Sequence, residues 1–158
     1  MRKASSENIP TTMPVIRPME IGDYDAVRDL WMDCEGIGLN SVDDSREGIE
    51  RFLERNPDTS FVADDDKIVG TVLGGYDGRH GYIYHLAVEA DYRHMGLGAS
   101  LATAAMNALK AYGIAKINLV SFKENEGGGS FWDSLEYVPR DDLTYWMKIL
   151  RDDVEIIK

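Results

Sequence analysis

The spacing of apolar positions along the chain switches several times between about two and about 3.6 residues, and each switch marks an element boundary. Met13-Pro14-Val15-Ile16-Arg17 reads as a short first strand, after which Asp23 can cap a helix carrying Val27, Leu30, Trp31 and Cys34 at helical spacing. That helix ends near Gly36, and Glu35 to Ser41 is a loop. Val42-Asp43-Asp44-Ser45 leads into a second helix bearing Ile49, Phe52 and Leu53, which Asn56-Pro57-Asp58 stops. Ser60 to Ala63, a charged turn over Asp64 to Lys67, and Ile68 to Leu73 form an antiparallel hairpin. A second hairpin turns at Asp77-Gly78 and returns from about Tyr82 to Val88.

Gly96 to Tyr112 places Leu97, Leu101, Ala104, Ala105, Ala108 and Leu109 on one helical face and stops at Gly113. Lys116 to Val120 is the next strand, Ser130 to Leu135 a short helix behind three glycines, and Leu143 to Leu150 a final strand. The order β, α, α, three antiparallel strands, α, β, α, β defines an α/β fold with a mixed, mostly antiparallel sheet and helices on both faces. There is no internal repeat and no linker.

Composition narrows the class. A chain of 158 residues, 44% hydrophobic, suits a single domain over residues 13–158, with the polar residues 1–12 expected as a disordered leader. Seventeen basic against 28 acidic side chains give a formal charge of -11, which excludes a protein that coats nucleic acid by neutralising phosphates. That acidity suits a cationic substrate and serves solubility equally. The single cysteine, Cys34, forms no intramolecular disulfide, and no apolar run of about 20 residues suggests a membrane partner. The expected location is therefore the reducing cytoplasm.

The chemistry concentrates in Tyr82-Ile83-Tyr84-His85-Leu86-Ala87-Val88, the loop through Met95, and Gly96-Leu97-Gly98 opening a helix. The first N–H groups of a helix lack intrahelical acceptors and carry the positive end of the macrodipole, so a strand, a polar loop and glycines here describe a pyrophosphate holder. A triphosphate P-loop needs Lys and Ser/Thr directly after its last glycine, and Ala99-Ser100 stands there. A dinucleotide fingerprint needs a third glycine where this chain has Leu101, and belongs to a first βαβ unit rather than to a position after hairpins.

Leu86-Ala87-Val88 followed by Tyr92-Arg93-His94-Met95-Gly96-Leu97-Gly98 resembles the strand and acetyl-CoA loop (R/Q-x-x-G-x-G/A) of the GNAT superfamily N-acetyltransferases. Asn125 with Phe131-Trp132-Asp133-Ser134-Leu135-Glu136-Tyr137 is similar to that family's second signature, and Gly74 to Gly78 looks most like its small bacterial YpeA-type members. The resemblance spans about Val15 to Lys148 and implies a central sheet splayed at the cofactor site.

It further implies acetyl-CoA as acetyl donor, with the backbone around Leu86, Ala87 and Val88 pairing the pantetheine arm. The N–H groups of Arg93, His94, Met95, Gly96, Leu97, Gly98 and Ala99 would meet the pyrophosphate, and Asn125 and Trp132 would adjoin the arm. Asn125 also reads as an ordinary helix cap. The implied reaction is direct transfer to a primary amine of a small molecule or peptide, in a monomer or a homodimer. The Val88 N–H is the candidate oxyanion donor.

Strict strand alternation puts Tyr82, Tyr84, Leu86 and Val88 on one face and Ile83, His85 and Ala87 on the other. The resemblance implies that acceptor-side bases lie on the Tyr82 and Tyr84 face, where either phenol would orient a water relay or shape the pocket, and His85 reaches the site only if a bulge shifts the phase. The loop Glu35 to Asn40 is expected to line the acceptor side, with Glu35 drawing a cationic group.

Trp132 stands where many family members carry a tyrosine that protonates the departing thiolate, and Glu136 where glycine is usual. Tyr137 or Tyr145 would have to replace that acid, or the chain is a non-catalytic acyl-CoA-binding module. No metal is expected, because His80 and His85 face opposite ways on a strand and Asp64 to Asp66 form a solvated turn. Trp31 and Cys34 read as core.

Overall fold

The computed structural model describes residues 12–158. The expected leader lies almost wholly outside the described residues. The elements are β1 (Val15–Pro18), α1 (Tyr24–Asp33), α2 (Arg46–Arg55), β2 (Phe61–Asp64), β3 (Ile68–Tyr76), β4 (Gly81–Val88), α3 (Leu97–Ala111), β5 (Ile117–Asn118) and α4 (Glu126–Ser134). The strands lie in sequence order, with β1 to β4 antiparallel and β5 parallel to β4.

Local chemistry accounts for the helix starts. Asp23 ends a short 3₁₀ turn and ties the entrance of α1 to β1, because its carboxylate accepts from Arg17 Nη1 and Nη2 at 2.9 and 2.8 Å. Ser45 Oγ accepts the Gly48 N–H at 3.0 Å and caps α2. The amphipathic face of α1 buries Tyr24, Val27, Leu30 and Trp31, and together with α2 covers one side of the sheet in a core that includes Val62, Leu73 and Ala87. On the other side α3 buries Leu97, Leu101 and Ala105 against Val69, Val72 and Ile83. Among the described residues no helix is long and apolar enough to cross a membrane.

The pairing of β3 with β4 carries an irregularity that repositions the site. Leu73 pairs with Tyr84 while Thr71 pairs with Ala87, so β4 spends one residue more than β3 across this step. The extra residue is accommodated at His85, whose φ of 51° lies in the left-handed region. The bulge resets the alternation. His85 stacks edge-on with Trp31 and Ala87 joins the α1–α2 core, whereas Leu86 and Val88 pack against the α3 core. The sequence expectation that Leu86 and Val88 share a face with Tyr82 and Tyr84, and that His85 points away, is thus corrected.

Two further differences are informative. α4 begins at Glu126 rather than Ser130, because Asn125 Oδ1 accepts from Gly128 N at 2.9 Å and draws the glycine run into the first turn. Leu143 to Leu150 form no strand: the segment makes no ladder, and Leu143, Tyr145, Trp146 and Leu150 are exposed. A strand needs a partner edge, and β5 offers only two residues, both engaged with β4. The chain instead returns to the loop between α1 and α2, where Ile157 N donates to Leu39 O at 2.9 Å and Leu39 N to Lys158 O at 3.1 Å.

Candidate functional site

The site grows from the edge of β4. β5 meets β4 only through the pairs Gly81 with Ile117 and Tyr82 with Asn118, so from Ile83 to Val88 that edge has no strand partner among the described residues. Glu89 N donates to Val69 O at 2.8 Å, which makes Gly70 and Val88 a non-hydrogen-bonded pair and turns the Val88 N–H and C=O toward the open edge. An extended chain with amide groups can add there as a strand would.

The loop after β4 is pinned at both ends. The Tyr92 hydroxyl donates to Asp65, and that bond pushes the phenol up to about 12. The Arg93 side chain folds back, with Nε 3.1 Å from Val88 O and Nη2 3.8 Å from Cys34 Sγ. Arg93 therefore braces the loop against β4 and α1. His94 and Met95 carry the chain to Gly96, which caps α3 with φ of 81° and no side-chain hydrogen bond. A Cβ on Gly96 would meet nothing within 4 Å, whereas one on Gly98 would lie 3.3 Å from the Phe131 ring.

The N–H groups of Leu97, Gly98 and Ala99 thus open a helix of 15 residues with no side-chain cap, directly beside the open β4 edge. This is a cradle for an anion, and the adjoining edge suits an amide-bearing arm. The residues present fit acetyl-CoA.

The far wall comes from α4. Trp132 contacts the α3 core and makes edge-on contacts with Phe131 and Tyr137 at centroid distances of 4.9 and 5.0 Å. The Tyr137 hydroxyl is buried without a partner among the described residues, and burial pushes its phenol up. Tyr145 is 73% exposed. Asn125 caps α4 and abuts Gly36, where a Cβ would lie 2.7 Å from Asn125 Nδ2, so only glycine permits that approach. Between Cys34 to Ile37 and Phe122 lies a cleft of about 320 Å³, with Glu35 on its rim. Cys34 is buried, as expected.

The face of β4 toward α1 and α2 holds the polar groups. Tyr82 and Tyr84 stack at 6.1 Å, and Tyr84 meets Phe52 edge-on. Burial pushes the Tyr84 phenol up, and nearby Tyr82, Tyr145 and Asp43 add to it, so less of Tyr84 is phenolate at neutral pH than of a free phenol. His85 Nε2 lies 2.6 Å from Asp44 Oδ1. Asp44 is itself anchored: Oδ2 accepts from Asn40 N at 2.8 Å and its carbonyl from the Tyr24 hydroxyl at 2.6 Å. Sequence reasoning missed Asp44, since the only signal was a buried acid in a polar run 41 residues from its partner. Among the described residues no group of three or more metal-ligating side chains occurs.

Comparison with known proteins agrees with this geometry. Residues 24–137 match the acetyltransferase (GNAT) family. An acetyltransferase of Pectobacterium atrosepticum is 35% identical over 138 residues, 87% of this chain and 96% of the relative. One from Sodalis glossinidius is 36% identical over 141 residues, 89% and 98% of the two chains. Among solved structures, Ard1 from Thermoplasma volcanium superposes with a TM-score of 0.71 at 19% identity, over 80% of this chain and 84% of that one. The NatC complex bound to Gag peptide and CoA gives 0.67 at 21% identity, over 78% and 84%.

Proposed function

The chain belongs to the acetyltransferase (GNAT) family, and we propose that it moves an acetyl group from acetyl-CoA directly to a primary amine of a small molecule or peptide. The observation that carries this reading is the uncapped N-terminus of α3 behind Gly96, lying against the unpaired edge of β4. One feature holds a diphosphate and the other an extended amide arm. Bound acetyl-CoA would supply the acyl donor, a thioester carbonyl.

The chain's own groups then divide the work. N–H groups from His94 through Ala99 hold negative charge through the backbone, with the dipole of α3 behind them, whereas the Arg93 N–H, expected to join them, donates instead to Ala90 O at 3.2 Å. The Val88 N–H faces the open edge and is the candidate donor to developing oxyanion charge. Tyr82 and Tyr84 shape the acceptor side, where a net charge of -11 favours a cationic amine.

Trp132 cannot donate a proton as a phenol does. A thiol of pKa about 8.5 leaves fairly well unaided, and general acid help is worth about 10²–10⁴-fold, so slow transfer is expected rather than none. Trp132 also favours a second reading, a module that binds acyl-CoA without turnover.

The test has two parts. Thermal-shift titrations with acetyl-CoA, CoA, ATP and NAD should show stabilisation by the two CoA species alone. Mass spectrometry of a primary-amine panel with acetyl-CoA should then show mass gain on an amine. No response to CoA sinks the cofactor reading, and CoA binding with no acetylated amine leaves the non-catalytic reading standing.

A further inference from the structure

We propose that His85, held by Asp44, takes the proton from the incoming amine, a role that rests on the transfer function above. The argument begins with backbone. His85 sits at φ 51°, a left-handed conformation that is strained for a non-glycine residue and persists only where its surroundings hold it. What holds it is visible: Nε2 is 2.6 Å from Asp44 Oδ1, and the ring stands edge-on to Trp31 at 5.0 Å. Both Asp44 oxygens accept N–H groups, one from His85 and one from the Asn40 backbone, so Nε2 carries the hydrogen and the lone pair stays on Nδ1. Among the described residues Nδ1 has no hydrogen-bond partner.

The location matches the task. The bulge turns His85 to the α1–α2 face, next to Tyr84 and three residues before Val88, whose N–H points to the open edge. Its side chain is 18% exposed and that of Asp44 7%, so the imidazole reaches solvent-borne substrate while its orienting acid does not. The groups facing the pair are Asp44 and Asp43 from the loop before α2, Trp31 and the Tyr24 hydroxyl from α1, and Tyr84 from β4. One basic side chain adjoins them, Arg28 of α1 beside the Tyr24 hydroxyl. Imidazole has a reference pKa of about 6.5, where a phenol's is about 10, so histidine is the side-chain type suited to accept a proton at neutral pH.

The step balances. An ammonium gives one proton to His85 Nδ1, and its freed lone pair forms the carbon–nitrogen bond to the thioester carbonyl carbon. The carbon–sulfur bond breaks with its electron pair on sulfur. A second proton lost from nitrogen offsets that charge in the released thiol, and the proton on His85 passes to water. Asp44 is a positioning residue that fixes the tautomer and stabilises the imidazolium.

His85→Gly is the informative variant, because glycine adopts positive φ freely and the bulge survives it. Thiol release from acetyl-CoA is followed from pH 5.5 to 9.5 with n-butylamine, spermidine and a lysine-containing peptide as acceptors. His85→Gly should lose on the order of 10²-fold or more in kcat/KM near pH 7 and lose the acid limb, while keeping its thermal shift with CoA. Exogenous imidazole should restore part of the rate. Asp44→Asn should lower kcat toward that of His85→Gly with little change in KM for the amine, and Asp44→Glu should restore part of it. Absence of release by the native chain from all three amines overturns the transfer function and the proton role together. Release that His85→Gly matches at every pH overturns the proton role alone, and lower stability in Asp44→Asn with kcat unchanged overturns the positioning role.

Discussion

Gly96 and Gly113 form a matched pair that separates backbone strain from ligand binding. Both flank α3, with φ of 81° and 80°, and a Cβ on either meets nothing within 4 Å. Alanine at each therefore brings no clash, only the left-handed penalty of about 1–2 kcal/mol, partly offset by the 0.4–1 kcal/mol gained from a stiffer unfolded chain. A net loss of about 1 kcal/mol follows. An unfolding entropy of about 2.1 cal/mol/K per residue over 158 residues is about 0.33 kcal/mol/K, so each variant should lose about 3 °C in Tm.

Ligand separates them. CoA at about 100 times its Kd stabilises by about 2.7 kcal/mol, or about 8 °C, and Gly113→Ala should keep that shift in full. On the proposed binding mode, the methyl group of Gly96→Ala would sit where the diphosphate approaches the α3 N-terminus. A tenfold loss of affinity removes about 1.3 kcal/mol, so the shift should shrink by about 4 °C at the same CoA concentration. Scanning fluorimetry of the two variants with and without CoA reads all four numbers. Equal CoA shifts in both would refute the assignment of the loop, and an unchanged Tm without ligand would refute the left-handed backbone.

Leu101→Ala empties a fully buried position in the α3 core and should cost about 3 kcal/mol by urea unfolding; a cost under about 1 kcal/mol would show that α3 does not pack here as described. Tyr137→Phe removes a buried hydroxyl without a partner and should leave Tm equal or higher, whereas a clear fall would reveal a bond the geometry lacks. Burial pushes the Asp23 carboxyl up, but the Arg17 guanidinium and the Glu20 N–H more than offset it and hold it below its ordinary value. Its stabilising contribution is then present above the unfolded value of about 3.9 and lost as pH falls through the folded value. The stability difference between the native chain and Arg17→Gln should therefore shrink between pH 6 and pH 2.5, and a constant difference would deny the coupling. Ser45→Ala should cost about 1 kcal/mol of stability through loss of the α2 cap, read from urea midpoints.

The strand-loop-helix from Gly81 to Ala111 was legible because each signal is local: apolar alternation up to Tyr84, turn residues, and Leu97, Leu101 and Ala105 at helical spacing. Asp77-Gly78 marked its hairpin for the same reason, since Gly78 at φ 91° is a property of one residue. Failure began where a partner decides. Leu143 to Leu150 is rich in apolar and aromatic residues like a strand, but composition cannot supply an edge to pair with, and β5 is too short to provide one. The glycine run resisted reading as helix because its start depends on the Asn125 cap rather than on glycine's own poor propensity.

By itself the sequence determined the family, the order of elements up to α4, the glycine loop at the head of α3 and the burial of Trp31 and Cys34. Tertiary structure alone decided which face of β4 each side chain takes after Tyr84. The extra residue in β4 is defined only against β3, which pairs Thr71 with Ala87 and Leu73 with Tyr84. A period of two has no memory across such a shift, so one inserted residue exchanges the faces of everything beyond it. That exchange brings His85 to Asp44, 41 residues earlier in the chain, and turns a histidine that alternation sends away from the site into its most polar contact.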